Sequence, residues 1–324
     1  MLRFPRSVAL AAGLVVALAA CSTGGGASTA PSTAATPSAS AASSATAASV
    51  APSVAPSVAA SIDPNSLLGK IIAAGKIRIS TDPNYKPFSF AKPDGTYDGF
   101  DNATAVEAVK RLSTEVGKDI AIEWTTPSWD LITAGGWSGR WDISVGSMSV
   151  TVGRAKVVDF VDPYYYDSGA VAVPKDSSVQ SLADLNGGKT FCVGAATTYE
   201  QWLNGTLEIV DPAKLDPPTD PKVTSLPTDN ECVQAVQSGR KFDAIVANAN
   251  GLADQVKDGL PIRVLDGPPI FTVSVAFALD KSGPDDKSLI EVLNKVVADM
   301  HADGTLTKLS TKYLEKDVTV KPGG

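Results

Sequence analysis

The sequence predicts an α/β protein of two lobes, each a parallel-type sheet with flanking helices. Segments typical of strands alternate with segments typical of helices from Lys76 to Leu314, which is the pattern of parallel sheets covered on both faces. The alternation restarts after a Tyr-rich segment that follows Pro163, and this restart indicates a second lobe. The stretch that carries the pattern is long enough for one large domain or two small ones.

The first 21 residues predict an export signal. Arg3 and Arg6 form a basic start, and an apolar core from Val8 to Ala20 follows. This core is shorter than the ~20 apolar residues that a spanning helix needs. The segment Leu18 to Cys21 resembles the bacterial lipobox, in which the cysteine is lipidated and becomes the mature N-terminus. A plain cleaved secretory signal that happens to precede a cysteine is the alternative.

Residues 22–61 predict a disordered linker. They consist almost wholly of Ala, Ser, Thr, Pro, Val and Gly, and they contain no charge and no aromatic side chain with which to build a core. Such a segment remains solvated and is stiffened by its prolines. The folded part is therefore expected to begin at residue 62.

The composition argues against several classes of function. The formal net charge is -7 and Lys and Arg form no cluster, so nucleic acid is not an expected partner. No second apolar run has spanning length, which argues against a transporter or a receptor with a membrane-crossing output. The only histidine, His301, lies in a predicted helix, and no metal-ligand spacing, G-x-S-x-G or P-loop pattern occurs. We expect no metal, no cofactor and no enzymatic activity.

Hydrophobic periodicity and turn residues define the elements of the first lobe. Val106, Val109 and Leu112 fall on one face at helical spacing, and the apolar run that starts at Lys76 ends in turn chemistry. The predicted elements are, in order, a strand over 76–82, a helix over 100–117, a strand over 120–126, a helix after Trp129 and a strand over 140–148.

The second half repeats the alternation, with short apolar runs bounded by Gly, Pro and Asp. The predicted elements are strands over 169–175, 189–196, 242–249 and 273–279, and helices over 181–187, 197–205, 231–239 and 288–304. The helix over 288–304 is the last predicted element of the chain.

These segments, in this order, resemble the bacterial extracellular solute-binding proteins of polar amino acid ABC importers (solute-binding protein family 3). The resemblance rests on "IRISTDPNYKPFSF", "DGTYDGFD", "RWDISVGSMSVTVGRAKVVDFVDPYYYDSG", "FCVGAATTYEQWL" and "DAIVANAN". It implies the two-lobed periplasmic-binding-protein fold (type II), with hinge strands near 164–169 and 268–273. The implied lobe 1 comprises 62–164 and 272–324, and the implied lobe 2 comprises 165–271.

Arg154 is the main candidate for ligand binding. It follows a predicted strand, and open α/β sheets bind ligands outside the carboxyl ends of their strands. A guanidinium holds a carboxylate by two parallel charge-assisted hydrogen bonds. Ser147 and Ser149 would present backbone groups and a hydroxyl to the same ligand. The alternative is a surface ion pair between Arg154 and Asp159 or another acid.

Further binding residues are implied by the resemblance. Thr197 and Thr198 stand at the start of a predicted helix, just before "YEQWL", and match the threonines that join the arginine in holding the ligand's α-carboxylate. Tyr85 and Trp129 match the aromatic walls around the ligand's side chain, although a tryptophan such as Trp129 is, by itself, more often a core residue. Asp82 matches an aspartate that meets the polar end of the ligand's side chain, and a turn cap is its alternative role.

One position departs from the family pattern. Five residues after Asp243, where most relatives carry an aspartate that holds the ligand's ammonium group, the chain has Asn248. An amide keeps a carbonyl acceptor but loses the charge, which weakens the bond to an ammonium by about 1 to 3 kcal/mol. Asp82, Glu200 and Asp229 are acids able to compensate, and the sequence does not place them. Without compensation the preferred ligand lacks a free α-amine.

Cys192 and Cys232 remain once Cys21 is assigned to the lipobox. An exported location is oxidising, so the two are candidates for one disulfide. Some members of the family carry cysteines at both places. A buried unpaired pair is the alternative.

The expected function is capture of a small carboxylate-bearing solute, above all a polar amino acid, and its delivery to an ABC permease. Closure about the hinge is the expected mechanism, because ligand contacts come from both lobes. The protein is expected to act as a monomer, lipid-anchored at the outer face of the cytoplasmic membrane. Two alternatives are an exported cyclohexadienyl-dehydratase-like enzyme with Asp82 as general acid, and a ligand-sensing subunit of a separate signalling partner.

Overall fold

The computed structural model describes residues 62–210 and 214–321. The predicted signal segment of residues 1–21, lipidation at Cys21 and the linker 22–61 all lie outside the described residues. Among the residues that are described, none of the helices has the length and apolar character needed to cross a membrane.

The elements follow the predicted alternation in both halves of the chain. The strands of the described residues are β1 (Lys76–Ser80), β2 (Asn84–Tyr85), β3 (Ser89–Ala91), β4 (Tyr97–Asp98), β5 (Ala121–Thr125), β6 (Ile143–Ser144), β7 (Val158–Phe160), β8 (Tyr165–Pro174), β9 (Thr190–Gly194), β10 (Lys222–Leu226), β11 (Ala244–Asn248), β12 (Ile262–Val264), β13 (Phe271–Val275) and β14 (Ala278–Asp280). The helices are α1 (Leu67–Ala74), α2 (Phe100–Val116), α3 (Trp129–Thr133), α4 (Thr198–Leu203), α5 (Asp229–Gln237), α6 (Ala249–Lys257), α7 (Lys287–Ala302) and α8 (Thr305–Leu314).

Lobe 1 is built on a five-stranded sheet in the order β5-β1-β6-β14-β7. The first three strands are parallel, and Ile79 of β1 lies opposite Ile143 of β6. Ile77 and Ile79 are fully buried on β1, and Leu112 of α2 and Leu293 of α7 are buried in the same apolar core. Burial of such side chains contributes about 1.5 to 3 kcal/mol each, so this core holds β1 and β6 in place.

Lobe 2 is built on a second sheet in the order β10-β9-β11-β8-β12, with β13 paired to β8. Strands β9, β10 and β11 are parallel. A disulfide joins Cys192 of β9 to Cys232 of α5, with their Cα atoms 5.6 Å apart. Both cysteines are fully buried in an apolar cluster, so the pairing expected from the sequence is present.

Two connections run side by side from one lobe to the other. Strand β8 follows β7, and strand β13 precedes β14. Strands β8 and β13 pair antiparallel, with Tyr165 opposite Val275 and Gly169 opposite Phe271. A side chain at Gly169 would meet Ile270 Cγ1 at 2.8 Å, so glycine permits this close approach. The pair lies where the hinge strands were expected.

The structure also differs from the expected elements. Both sheets are mixed and not purely parallel, because the strands that run between the lobes enter each sheet in the opposite direction. The strand expected over 140–148 is only Ile143–Ser144, and the segment after Trp129 forms only five residues of helix. The expected helix over 181–187 is a 3₁₀ turn, Leu182–Leu185.

Candidate functional site

A cavity of about 60 Å³ lies between the two lobes. It is lined by Asp82, Tyr85, Trp129, Gly146, Ser147, Ser149, Arg154, Thr197, Thr198, Tyr199, Pro227, Thr228 and Asp229. Eight of the nine ligand residues expected from the sequence are among them, and Asn248 is not.

The lining residues follow the carboxyl ends of parallel strands in both sheets. Asp82 comes two residues after β1, and Gly146 comes two residues after β6. In lobe 2, Thr197 follows β9 and Pro227 follows β10. Ligands of open α/β sheets bind at this edge, so the topology brings segments that are distant along the chain to one place.

Arg154 lies in this cavity with only 4% of its surface exposed. Its guanidinium donates to the carbonyl of Ser149 at 3.1 Å and, from the other lobe, to the carbonyl of Ala196 at 3.1 Å. Its Nε has no hydrogen-bond partner, and within the described ranges it forms no ion pair with a carboxylate. Burial lowers the pKa of Arg154 to about 10. The surface alternative is wrong, since Asp159 pairs with Lys281 at 3.3 Å.

Trp129 packs against this guanidinium. The Arg154 Cζ lies 5.1 Å from the centroid of the Trp129 ring, within the range of a cation–π interaction. The Trp129 indole N–H donates to the Ala196 carbonyl at 3.2 Å. Tyr85 lines the cavity as well and stacks on Phe88 with a centroid distance of 5.5 Å. Trp137, Trp141 and Trp202 are buried packing residues outside the cavity lining.

The hydroxyl residues are fixed by contacts of their own. Ser147 has a φ of 56°, which is uncommon for a residue other than glycine, and its Oγ donates to Asp101 Oδ2 at 2.8 Å. Thr197 caps α4, because its Oγ1 accepts from the Glu200 N–H at 3.1 Å. Thr198 is buried as the first residue of that helix. These hydrogen bonds hold Ser147 and Thr197 in position at the wall of the cavity.

Two carboxylates stand among the lining residues. Asp82 accepts from the Asn84 N–H at 2.7 Å, which is the turn geometry that the sequence allowed as its alternative role. Asp229 is 5% exposed and accepts from the Gly194 N–H at 2.8 Å. Burial raises the pKa of Asp82, and it raises the pKa of Asp229 to about 7. The cavity therefore contains a buried cation together with two carboxyl groups whose pKa values are raised.

Asn248 was expected to face the ligand, and the structure does not bring it into the lining. Its Oδ1 accepts from the backbone N–H groups of Asn250 at 2.7 Å and Gly251 at 2.9 Å, which caps α6. Its Nδ2 donates to Asp167 Oδ1. The side chain is turned into the lobe because both ends of its amide have buried partners there.

Sequence reasoning did not assign three contributors to the site. Asp229 was considered but not placed, although it comes three residues after the end of β10 and is preceded by Thr228, whose side chain caps α5. Tyr199 lines the cavity and donates to Asp167 at 2.6 Å. The Ala196 carbonyl leaves no signal in the sequence, because any residue supplies a carbonyl.

Two α/β lobes that enclose a cleft with a buried cation form a concave site of the kind in which small polar ligands bind. The chain belongs to the bacterial extracellular solute-binding proteins, family 3, whose family model matches residues 77–316. This confirms the resemblance stated from the sequence. Members of this family are exported proteins that bind solutes outside the cytoplasm.

Named relatives support the same family. The L-cystine-binding protein TcyJ of Escherichia coli (strain K12) is 29% identical over 255 residues, covering 78% of this chain and 88% of that protein. The histidine-binding periplasmic protein of the same strain is 30% identical over 255 residues, covering 75% and 88%. The crystal structure of the ancestral amino acid-binding protein AncCDT-1, a precursor of cyclohexadienyl dehydratase, is 32% identical with a TM-score of 0.63, and the match covers 77% of this chain and 100% of that chain.

Proposed function

We propose that this chain captures a small solute with a carboxylate, above all a polar amino acid, and delivers it to an ABC importer. The observation that carries the proposal is Arg154, a buried cation that lines the cavity and has no carboxylate partner among the described residues. Burying an unpaired charge is costly, and a ligand carboxylate would offset that cost. The named amino acid-binding relatives support this ligand class.

Closure of the two lobes is the proposed mechanism. Several hydrogen bonds already join the lobes, among them Val152 N–H to the Glu208 carbonyl at 3.0 Å and the Asn230 amide to the Asn84 carbonyl. A ligand that touches both lobes adds to these contacts only when the lobes are together, so it stabilises the closed form. The proposed lobe boundaries are 62–164 with 272–324, and 165–271.

The proposal includes the anchor and the binding residues. Lipidation at Cys21 would hold the protein, as a monomer, at the outer face of the cytoplasmic membrane beside its permease. The proposed ligand contacts of the cleft are Asp82, Tyr85, Trp129, Ser147, Ser149, Arg154, Thr197 and Thr198. Radiolabelled palmitate should enter the wild-type protein and not Cys21→Ala; equal labelling of both would remove the anchor.

A thermal-shift screen of the unliganded protein against amino acids, dicarboxylates and prephenate tests the function. A compound at 100 times its dissociation constant adds about 2.7 kcal/mol to the free energy of unfolding. We expect the largest shift from an amino acid. No shift from any compound that bears a carboxylate would contradict the proposal.

One observation favours a second candidate, an exported dehydratase. Asp82 lines the cavity that holds Arg154, and burial raises the pKa of its carboxyl, as a general acid requires. Loss of prephenate in the same samples, followed by absorbance and abolished in Asp82→Asn, would establish this activity. A thermal shift with prephenate but no loss of prephenate would support binding only and would exclude the dehydratase.

A further inference from the structure

The nitrogen end of the ligand has no assigned partner, because Asn248 faces away from the cavity. An α-amino acid bound by its carboxylate to Arg154 brings a positive ammonium group into the same small space. An ammonium in a water-excluded cavity needs hydrogen-bond acceptors, and preferably a negative charge. If the chain binds amino acids as proposed above, one acid of the cleft has to supply this negative charge.

Two buried or half-buried acids near the cleft are already occupied. Glu200 accepts from the Ala196 N–H at 2.7 Å with one carboxylate oxygen and from Ser225 with the other. Asp167 accepts from the Tyr199 hydroxyl at 2.6 Å and from Asn248. Neither acid lines the cavity, and in neither is a carboxylate oxygen left over.

Asp229 is different in each respect. It lines the cavity, and only 5% of its surface is exposed. One carboxylate oxygen, Oδ1, accepts from the Gly194 N–H at 2.8 Å, and within the described part of the chain the other oxygen has no hydrogen-bond or ion-pair partner. The oxygen that lacks a donor on this largely buried side chain can accept a hydrogen bond from a ligand.

The backbone holds this carboxylate in position. A side chain at Gly194 would place its Cβ 2.4 Å from Asp229 Oδ1, so the glycine makes room for the carboxylate at the end of β9. Thr228 caps α5 through its Oγ1, which accepts from the Glu231 N–H at 3.2 Å, and this fixes the helix whose first residue is Asp229. The free oxygen is therefore presented from a rigid support.

We propose that Asp229 receives the α-ammonium group of the ligand, in the role that the amide of Asn248 does not fill. Arg154 and Asp229 line the same cavity from opposite lobes, so an α-amino acid bridges the lobes through its two charged groups. The ligand class that follows is a zwitterionic α-amino acid with a free amine. Asp82, which also lines the cavity, adds negative charge beside Asp229.

The test compares pairs of compounds that differ only at the nitrogen. Each L-amino acid with a primary amine is titrated against its 2-hydroxy acid counterpart by calorimetry, using wild-type protein and Asp229→Asn. The amide is isosteric and still accepts from the Gly194 N–H, so the fold is kept. Glu231→Gln is the matched control, since it removes a carboxylate from the same helix but not from the cavity lining.

We expect the wild-type protein to prefer the amino acid over the hydroxy acid, and Asp229→Asn to reduce this preference about 10- to 100-fold. Glu231→Gln should keep the wild-type preference. An unchanged preference in Asp229→Asn overturns the inference. Binding of 2-hydroxy acids but of no amino acid also overturns the Asp229 contact, and it leaves the proposed capture of a carboxylate standing. Binding of neither class of compound overturns the Asp229 contact and the proposed function together.

A second measurement on the wild-type protein separates direct contact from a structural role. Burial and the nearby Asp167 and Asp82 favour the protonated form of Asp229, and Tyr85 and Tyr199 are the other titratable groups that face it. An arriving ammonium stabilises the carboxylate, so binding near pH 6.5 should release a proton. When the wild-type protein binds the amino acid, the binding heats in phosphate and in bis-Tris buffer should differ. When Asp229→Asn binds it, the two heats should agree; equal heats for the wild-type protein contradict the contact.

Discussion

The two lobes contribute to the cavity in different ways. Lobe 1 supplies the cation, Arg154, and the aromatic rings of Trp129 and Tyr85. Lobe 2 supplies capped helix starts and the acid Asp229, and its sheet is crosslinked to α5 by a disulfide. The chain has three cysteines and none falls in lobe 1, so the crosslink distinguishes the lobes. A ligand with two opposite charges would therefore find one charge partner in each lobe.

Removing the disulfide gives the largest expected change in stability. The bond closes a loop with a sequence separation of 40, for which chain entropy predicts a stabilisation of about 4 kcal/mol. Urea unfolding of Cys192→Ala/Cys232→Ala should show this loss. Reduced wild-type protein keeps both sulfur atoms and separates the crosslink from packing. Equal unfolding midpoints for oxidised and reduced protein would show that lobe 2 does not depend on the bond.

Asn248→Asp should destabilise lobe 2 without improving amino acid binding. The change removes the Nδ2 donor to Asp167 and places two buried carboxylates side by side, at an expected cost of about 1 to 3 kcal/mol. Asn204→Asp changes an exposed amide in the same lobe and is the control. If Asn248→Asp is stable and prefers amino acids over 2-hydroxy acids more strongly than the wild-type protein does, position 248 and not Asp229 is the ammonium site.

The contrast between Arg154 and Asn248 shows how much of the site the sequence carries. Arg154, Ser147 and Ser149 are neighbours along the chain, so a local pattern was enough to bring them together. The direction of Asn248 depends on Asp167, which is 81 residues away and on another strand. Asp229 depends on Gly194 in the same way, at a separation of 35. The order of elements was predictable because it follows from local periodicity. The antiparallel strands were not predictable in this way, because they arise where the chain runs from one lobe to the other.

Stability without ligand should fall as pH rises, and both lobes should contribute. Burial raises the pKa of Asp101 in lobe 1 and of Asp229 in lobe 2 to about 7, above the ordinary value of 3.8. The folded state then binds protons more tightly than the unfolded state, so this stabilisation is full below about pH 4 and is lost as pH rises through about 7. We expect the melting temperature to fall by a few degrees between pH 5 and pH 8.

Asparagine variants assign this pH dependence to one lobe or the other. Asp229→Asn and Asp101→Asn should each reduce the fall of the melting temperature with rising pH. The Asp101 carboxylate also accepts from the Tyr164 hydroxyl at 2.7 Å, so Asp101→Asn changes this contact as well. A melting temperature that rises from pH 5 to pH 8 in the wild-type protein would contradict the raised pKa values.

The claim that Arg154 holds a ligand carboxylate is tested most directly by calorimetry on Arg154→Met. The titrant is the amino acid that gives the largest thermal shift, and the control is Lys156→Met, which removes an exposed cation two residues away. We predict that Arg154→Met weakens binding by about 100-fold or more while the protein stays folded, and that Lys156→Met changes affinity by less than about threefold. Wild-type affinity in Arg154→Met would contradict the account.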